Sequence, residues 1–159
     1  MDNIIIRPLS VNDAADIQKY CFVQNTLDEV GKRIKNNLEK QNNGQLIQFV
    51  AELESHAVGT MTLSFQSHPL YAHRCALDDV VVSGEYQGNG IARKIFEHCT
   101  DYCKKRGIKI ITTGVRGGEP AEQVYRKLGF IEYGRLPGGI VESWNDNKEY
   151  DEVLLYYRV

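Results

Sequence analysis

The feature that most constrains the fold is a strand that leads through a small-residue loop directly into a helix, within residues 77–94. Val80, Val81 and Val82 favour a β-strand, and the loop that follows contains Gly88 and Gly90. After the loop, apolar residues recur at helical spacing: Ile91, Ile95, Phe96, Cys99, Tyr102 and Cys103. A strand and an amphipathic helix joined this closely must bury their apolar sides in a common core, which predicts an α/β fold.

The junction between the loop and the helix has the chemistry of an anion site. The first N–H groups of a helix have no intrahelical partner and lie at the positive end of its dipole. Gly88 and Gly90 carry no side chains, so a phosphate can approach the backbone closely. Arg93 and Lys94 add positive charge in the first turn, where a helix ordinarily favours acids. Taken alone, the pattern also fits an ordinary glycine turn before a helix, and both interpretations stay open at this point.

Two common nucleotide-binding motifs do not fit this loop. The chain lacks the Gly-x-x-x-x-Gly-Lys-Ser/Thr pattern of a P-loop. A Rossmann dinucleotide loop requires a third small residue three positions after Gly90, where this chain has Arg93. The Rossmann loop also belongs to an N-terminal βαβ unit, whereas two helical patterns and a hairpin come first here.

The rest of the chain predicts a single domain, residues 1–159, with the element order β-α-α-β-β-β-α-β-α-β-β. Residues 4–6 are a short strand, and Thr26 and Glu29 form a capping box that opens the second helix. Residues 46–53 and 57–65 form a hairpin, and residues 75–82, 108–115 and 152–159 are further strands. Because the hairpin comes first and βα units follow, we expect a mixed, mostly antiparallel central sheet flanked by about four helices.

Composition argues against several classes of protein. The net charge of −2 provides no field that would attract nucleic acid or an anionic membrane. No apolar run approaches the roughly 20 residues of a membrane span, and Asp2 with no long apolar segment behind it argues against a secretory signal. Cys21 and Cys75 show no metal-ligand spacing, and Cys99 and Cys103 are predicted as core residues. We expect a cytoplasmic protein that needs no metal; whether it forms a homodimer stays open.

Together with a second motif, the loop resembles the GNAT superfamily of N-acetyltransferases. Gln87-Gly88-Asn89-Gly90-Ile91-Ala92 is similar to the Gln/Arg-x-x-Gly-x-Gly/Ala signature that grips the coenzyme A pyrophosphate. Residues 121–130 resemble the family's Ala-x-x-x-Tyr-x-x-x-Gly-Phe helix and strand start. The resemblance covers essentially the whole chain and implies an enzyme with acetyl-CoA as co-substrate. The cofactor-binding residues that it implies are Val80, Val81, Val82, Gln87, Gly88, Asn89, Gly90, Ile91, Ala92 and Arg93.

One position departs from the family pattern. Many members carry Asn seven residues before the tyrosine, where it reaches the cofactor, and this chain has Gly118 there. Backbone groups could replace that contact.

The acceptor is predicted from a narrower resemblance. Segments 72–74, 116–122 and 134–138 resemble a branch that includes tabtoxin-resistance acetyltransferases, which act on small molecules. We therefore expect a small-molecule amine as acceptor, and direct transfer because no cysteine adjoins either motif. A protein or peptide N-acetyltransferase and a non-catalytic acyl-CoA-binding regulatory module are the alternatives. Retention of a plausible acid and base favours the enzyme over the regulatory module.

Acetyl transfer to an amine needs a base for the ammonium and an acid for the departing thiolate. The resemblance gives Tyr125 the role of that acid; without the resemblance, Tyr125 is a core aromatic. Asp78 and Asp79 stand together in a strand, where acids are disfavoured, so either is a candidate base, or a structural acid paired with Arg74. Strand alternation predicts that the two acids lie on opposite faces of the sheet, and Asp79 is slightly favoured as the base.

Other residues are weaker candidates for the acceptor side. His68 and His73 flank a loop, and the turn-rich residues 135–139 could shape a pocket. Trp144 and the polar residues after it are predicted to form the tip of a hairpin rather than a binding site.

Overall fold

The computed structural model describes residues 3–159, and one seven-stranded sheet runs through it. The strands lie in the order β1-β2-β3-β4-β5-β7-β6, and all neighbours are antiparallel except β4 and β5, which are parallel. The mixed, mostly antiparallel sheet predicted from the sequence is confirmed. The strands are β1 (Ile5–Pro8), β2 (Leu46–Leu53), β3 (His56–Phe65), β4 (Arg74–Val82), β5 (Ile110–Arg116), β6 (Ile131–Glu142) and β7 (Lys148–Arg158).

Within residues 3–159, four α-helices flank the sheet, as predicted. They are α1 (Ala14–Asp16), α2 (Leu27–Asn42), α3 (Ile91–Lys105) and α4 (Pro120–Leu128). α1 is a single turn, extended by a 3-10 turn before it and a π turn after it, Val11–Asp13 and Ile17–Cys21. The capping box at the start of α2 is present: the Glu29 N–H donates to Thr26 Oγ1 at 3.3 Å, and the Thr26 N–H donates to Glu29 Oε2 at 2.7 Å. Local chemistry therefore sets where α2 begins.

Some element boundaries differ from the prediction, and each difference has a local cause. The β2–β3 hairpin turns on only two residues, Glu54 and Ser55, with φ of 50° and 67°, which is the left-handed geometry of a tight hairpin turn. The last strand begins at Lys148 rather than at residue 152 because it pairs with the long β6. Residues 135–139, predicted as a turn, lie within β6 around a shift of register between Leu136 and Ile140.

Apolar side chains fill both faces of the sheet. The larger core lies between the sheet and α3 and includes Ile95 and Cys99 together with Leu77 of β4. Cys99 and Cys103 are buried in it, as predicted. A smaller core lies between α2 and the opposite face, around Val50 and Ile34. No helix within residues 3–159 is long and apolar enough to cross a membrane. Met1 and Asp2, on which the prediction about a secretory signal partly rests, lie outside the described residues.

The sheet opens between β4 and β5. These two strands pair at only three positions, from Arg74 opposite Ile110 to Ala76 opposite Thr112, and then separate. Beyond this point β4 contains a β-bulge, because Asp79 has a φ of 50° and the register against β3 shifts at this position. A bulge bends its strand and strengthens the local twist. We attribute the cleft between β4 and β5 to this bend.

Candidate active site

A cavity of about 420 Å³ lies at the mouth of the cleft, where β4 ends and α3 begins. Its walls come from one continuous segment, formed by the end of β4, the glycine loop and the start of α3, and from α4, which lies further along the chain. The lining residues are Val80, Val81, Val82, Tyr86, Gln87, Gly88, Gly90, Ile91, Ala92, Pro120, Ala121, Val124 and Tyr125. Most of the residues predicted to bind the cofactor are therefore brought together around one cavity.

The glycine loop is held by its own side chains. Gln87 Nε2 donates to the Val82 carbonyl at 3.1 Å, and Asn89 Nδ2 donates to the carbonyls of Tyr86 and Gln87 at 3.1 Å and 3.3 Å. Gly90, the residue before α3, has a φ of 75°, a left-handed conformation that favours glycine. This fixed loop leaves the first N–H groups of α3 without intrahelical partners at the cavity wall, which is the arrangement that binds phosphate at helix N-termini.

Two residues of the predicted cofactor set do not line the cavity. Asn89 instead bonds to the loop backbone, as described above. Arg93 donates from Nη2 to the Lys127 carbonyl at 3.0 Å. Because Lys127 lies in the last turn of α4, this bond neutralises the negative end of that helix and ties α3 to α4. Arg93 therefore helps to form the cavity by holding its two helices together.

A second cavity, of about 380 Å³, lies next to the first. The two share Val80, Ala121 and Tyr125. The remaining walls of the second cavity come from β5 and from the β6–β7 hairpin: Gly114, Val115, Arg116, Ile140, Glu142 and Trp144. Two adjoining cavities that meet at one tyrosine are suited to hold two substrates side by side.

Tyr125 is both a core aromatic and a cavity residue. Its side chain is buried, its ring packs edge-on against Phe130 with 5.4 Å between centroids, and it lines both cavities. Burial raises the pKa of Tyr125 to about 12; a hydrogen bond with Thr113 opposes the rise, and the charges of Asp78 and Asp79 add to it. The phenol therefore stays protonated at neutral pH and can donate a proton or a hydrogen bond into the cleft.

The expectation that Asp78 and Asp79 lie on opposite faces of the sheet is wrong. Ser64 Oγ donates to Asp78 Oδ2 at 3.0 Å, and Thr62 Oγ1 donates to Asp79 Oδ2 at 3.5 Å. Thr62 and Ser64 are two residues apart on β3, so their side chains share one face. The cause is the bulge, because the left-handed backbone at Asp79 interrupts the alternation of the strand.

The two carboxylates have different surroundings. Asp79 Oδ1 lies 3.7 Å from Arg33 Nη1 on α2, so Asp79 has a cationic partner. The sequence-based partner, Arg74, instead lies over the Tyr71 ring at 4.3 Å. Asp78 forms no ion pair within residues 3–159. Although Asp78 is exposed, partial desolvation of its carboxylate raises its pKa; the Ser64 hydrogen bond opposes the rise, and the nearby charge of Asp79 adds to it. These surroundings suit Asp78 better than Asp79 to accept a proton.

The weaker acceptor-side candidates lie away from both cavities. His68 Nδ1 accepts from the Leu70 N–H at 3.2 Å and so caps a short 3-10 turn. Arg135 forms ion pairs with Glu132, Glu122 and Asp151. Neither His73 nor any of residues 135–139 lines either cavity.

Gly118 forms a structural hydrogen bond through its backbone. Its N–H donates to Glu122 Oε2 at 2.9 Å, and its φ is 78°. Since this N–H is already used, it does not replace the contact that an asparagine side chain would make here.

Several cavity residues carried no signal that sequence reasoning could detect. Ala121, the first residue of the motif quoted above, forms part of the wall of both cavities. Arg116, Glu142 and Trp144 come from β5 and the β6–β7 hairpin, and only the pairing of these strands brings them to Tyr125.

The fold and the paired cavities suit a transferase that holds two substrates, and comparison with known proteins identifies the family. The sequence model of the Acetyltransferase (GNAT) family matches residues 12–130, so the chain belongs to this family and is an acetyltransferase. The predicted resemblance is confirmed. A spermidine N(1)-acetyltransferase from Vibrio cholerae serotype O1 is 27% identical over 157 residues, which is 93% of this chain and 83% of the relative.

Solved structures agree on the fold. A ribosomal-protein-alanine N-acetyltransferase from Brucella melitensis superposes with a TM-score of 0.80 at 22% identity, over 98% of this chain and 99% of its own. A putative acetyltransferase from Salmonella typhimurium, solved with its cofactor acetyl-CoA, superposes with a TM-score of 0.79 at 18% identity. The match covers 99% of this chain and 94% of the Salmonella chain. At these identities the likeness concerns the fold alone. Within residues 3–159, no three His, Cys, Asp or Glu side chains are grouped so that they could hold a metal ion.

Proposed function

We propose that this protein transfers the acetyl group of acetyl-CoA directly to a primary amine of a small molecule. The observation that carries the proposal is the meeting of two cavities at Tyr125. The first has the N–H groups and glycines that suit a pyrophosphate, and the second provides adjacent space for an acceptor. Holding the two reactants side by side supplies much of the rate by proximity.

The first cavity fits coenzyme A. The loop Gln87-Gly88-Asn89-Gly90 and the first amides of α3, at Ile91 and Ala92, would hold the pyrophosphate, and Arg93 would contribute through its bond to α4. The pantetheine arm would lie along Val80, Val81 and Val82, where β4 has separated from β5 and its edge is open to pairing. Acetyl-CoA supplies the acyl group as a thioester; the chain supplies the binding surface and the protons.

We assign the proton transfers to Tyr125, which lines both cavities, and to Asp78, which lines neither but whose charge acts on Tyr125. Tyr125 would donate to the sulfur as it leaves, since its phenol stays protonated at neutral pH. Asp78 would take the proton from the ammonium, directly or through water, because partial desolvation raises its pKa and it has no cationic partner within residues 3–159. The charge of Asp79 would help to raise the pKa of both Asp78 and Tyr125, and Asp79 itself forms an ion pair with Arg33.

The choice of a small amine is supported by the size of the second cavity and by the polyamine relative. A volume of about 380 Å³ is in the range of small-molecule sites. The relative at 27% identity is a spermidine N(1)-acetyltransferase, and the two carboxylates at positions 78 and 79 would attract a polyamine. Polyamines are therefore the first acceptors to test. The proposal also puts the protein in the cytoplasm, a reducing compartment that matches four free cysteines.

The experiment is an acceptor screen that measures release of free coenzyme A thiol from acetyl-CoA. The panel contains spermidine, putrescine, free amino acids, and a peptide with an N-terminal alanine. We expect turnover with at least one small amine and a much lower kcat/KM for the peptide. A protein acetyltransferase would give the opposite order, and the screen would then contradict the small-molecule assignment.

A further inference from the structure

Trp144 combines strong exposure with a place at the candidate acceptor cavity. It lies at the tip of the β6–β7 hairpin, its residue is 81% exposed, and it lines the second cavity together with Tyr125. The prediction of a hairpin tip is correct, but the tip is also part of the cavity wall. A ligand that covers a large apolar surface at a cavity mouth removes that surface from water, which favours binding of the ligand.

The hairpin that carries Trp144 is anchored to the cleft. Glu142 is buried and accepts hydrogen bonds from Asn145 Nδ2 at 3.0 Å and from the Tyr150 hydroxyl at 3.4 Å. It also forms an ion pair with Arg116 of β5. The Asn145 hydrogen bond and the Arg116 charge hold the pKa of Glu142 below its usual range. Because Arg116 also lines the second cavity, this pair fixes the base of the hairpin to the same wall.

The turn beyond Trp144 is equally defined. Asp146 and Asn147 have φ of 49° and 53°, and the Lys148 N–H donates to the Asn145 carbonyl at 2.9 Å. Two consecutive left-handed residues closed by this bond form a tight turn whose twist matches that of the flanking strands. The indole is thus carried by a fixed support at the cavity.

We propose that Trp144 is the specificity residue that contacts the non-reacting part of the acceptor and selects amines with an alkyl chain bearing a second ammonium group. This inference rests on the proposed function, since it places the acceptor in the second cavity. Methylene groups gain from contact with the indole, and an ammonium group is attracted by the face of the ring, for which tryptophan is the best aromatic partner. An acceptor without a second ammonium group would lose the attraction to the face of the indole ring.

Kinetics of substituted enzymes test the role. For spermidine, Trp144→Ala should raise KM about 5- to 30-fold, the range expected from losing one cation–π contact. The kcat and the KM for acetyl-CoA should hold, because Trp144 does not line the first cavity. Trp144→Phe should restore part of the loss. Tyr133→Ala is the control, since Tyr133 is also an exposed aromatic of the β6–β7 hairpin but lies at its other end and lines neither cavity.

Fluorescence gives a readout that does not depend on turnover. Trp144 is the only tryptophan of the chain, so the intrinsic emission reports on this residue alone. With coenzyme A present, added spermidine should shift the emission to shorter wavelength and protect it from acrylamide quenching. An unchanged spectrum and an unchanged KM in Trp144→Ala, with spermidine turned over normally, would overturn the role of Trp144 and leave the proposed function standing. Absence of turnover with every small amine would overturn both.

Discussion

Asp78 and Asp79 are adjacent in the sequence, yet the structure gives them different chemistry. One carboxylate has an arginine partner, and the other has only the Ser64 hydroxyl within residues 3–159. A carboxylate that is partly desolvated and unpaired has a raised pKa, which brings it closer to the value at which a base works best at neutral pH. At the scale of single residues, the choice of base therefore depends on partners and not on strand alternation.

Ser64→Ala tests this choice. The Ser64 hydrogen bond stabilises the charged form of Asp78 and so lowers its pKa; removing the bond should raise that pKa further. Because a base works only when ionised, the acidic limb of the kcat/KM profile should move to higher pH. The measurement is the pH dependence of kcat/KM for the amine at saturating acetyl-CoA.

The matched control for this experiment is Thr62→Val. Thr62 donates to Asp79 rather than to Asp78, so the acidic limb should stay where it is. A limb that moves with Thr62→Val and not with Ser64→Ala would transfer the base role to Asp79.

Tyr125→Phe tests the acid. The substitution keeps the ring against Phe130 and removes only the hydroxyl, so kcat should fall by roughly 10²–10⁴-fold with little change in the KM for acetyl-CoA. Since the pKa of Tyr125 is about 12, loss of its proton should not reduce kcat between pH 7 and about pH 10. Tyr157→Phe is the control, because Tyr157 packs in the same aromatic group but lines neither cavity. Full activity in Tyr125→Phe would leave Tyr125 with a packing role only.

At the scale of elements, the strand–loop–helix unit is where sequence and structure agree best. Gly90 before α3 and Gly107 after it form a natural pair for an experiment. Both have left-handed φ, 75° and 71°, and a Cβ added to either would meet no atom within 4 Å. Gly90 lines the first cavity and Gly107 lines neither.

Replacing each of these glycines with asparagine, which tolerates left-handed backbone, separates binding from stability. Gly90→Asn should weaken coenzyme A binding about 10- to 100-fold, the cost of disturbing one or two charge-assisted backbone hydrogen bonds. Gly107→Asn should leave the affinity unchanged while costing similar thermal stability. Calorimetric titration measures the affinity of both variants for coenzyme A. Equal affinities would mean that the pyrophosphate does not lie on the glycine loop.

What the sequence predicts well at this scale is what short-range chemistry decides. The Thr26–Glu29 capping box, the β2–β3 hairpin and the loop before α3 all depend on neighbours within a few residues. The bulge at Asp79 and the place of Trp144 in the cavity depend on how β4 pairs with β3 and how β6 pairs with β7. No local pattern encodes such pairings, so the carboxylates were identified but their facing was not.

At the scale of the whole molecule, the cleft that holds the candidate site is also the weakest point of the sheet. Only three residue pairs join β4 to β5, whereas β5 and β7 pair along seven positions. The larger hydrophobic core crosses this junction, because Leu77 of β4, Ile111 of β5 and Leu155 of β7 belong to the same buried cluster under α3. We propose on this ground that the chain is a single domain whose two sheet halves unfold together.

Calorimetry of the unfolding transition tests that proposal. One cooperative transition is expected, with equal calorimetric and van't Hoff enthalpies. The reason is that the shared hydrophobic core joins the two halves of the sheet although β4 and β5 pair at only three positions. Coenzyme A at about 100 times its Kd should shift the whole transition upward by about 5–10 °C, since a ligand between β4, α3 and α4 stabilises both halves at once. Gly90→Asn, which binds coenzyme A weakly, should show a much smaller shift at the same ligand concentration. Two separate transitions, of which coenzyme A moves only one, would mean that the halves fold as independent units and that the cleft is a domain boundary.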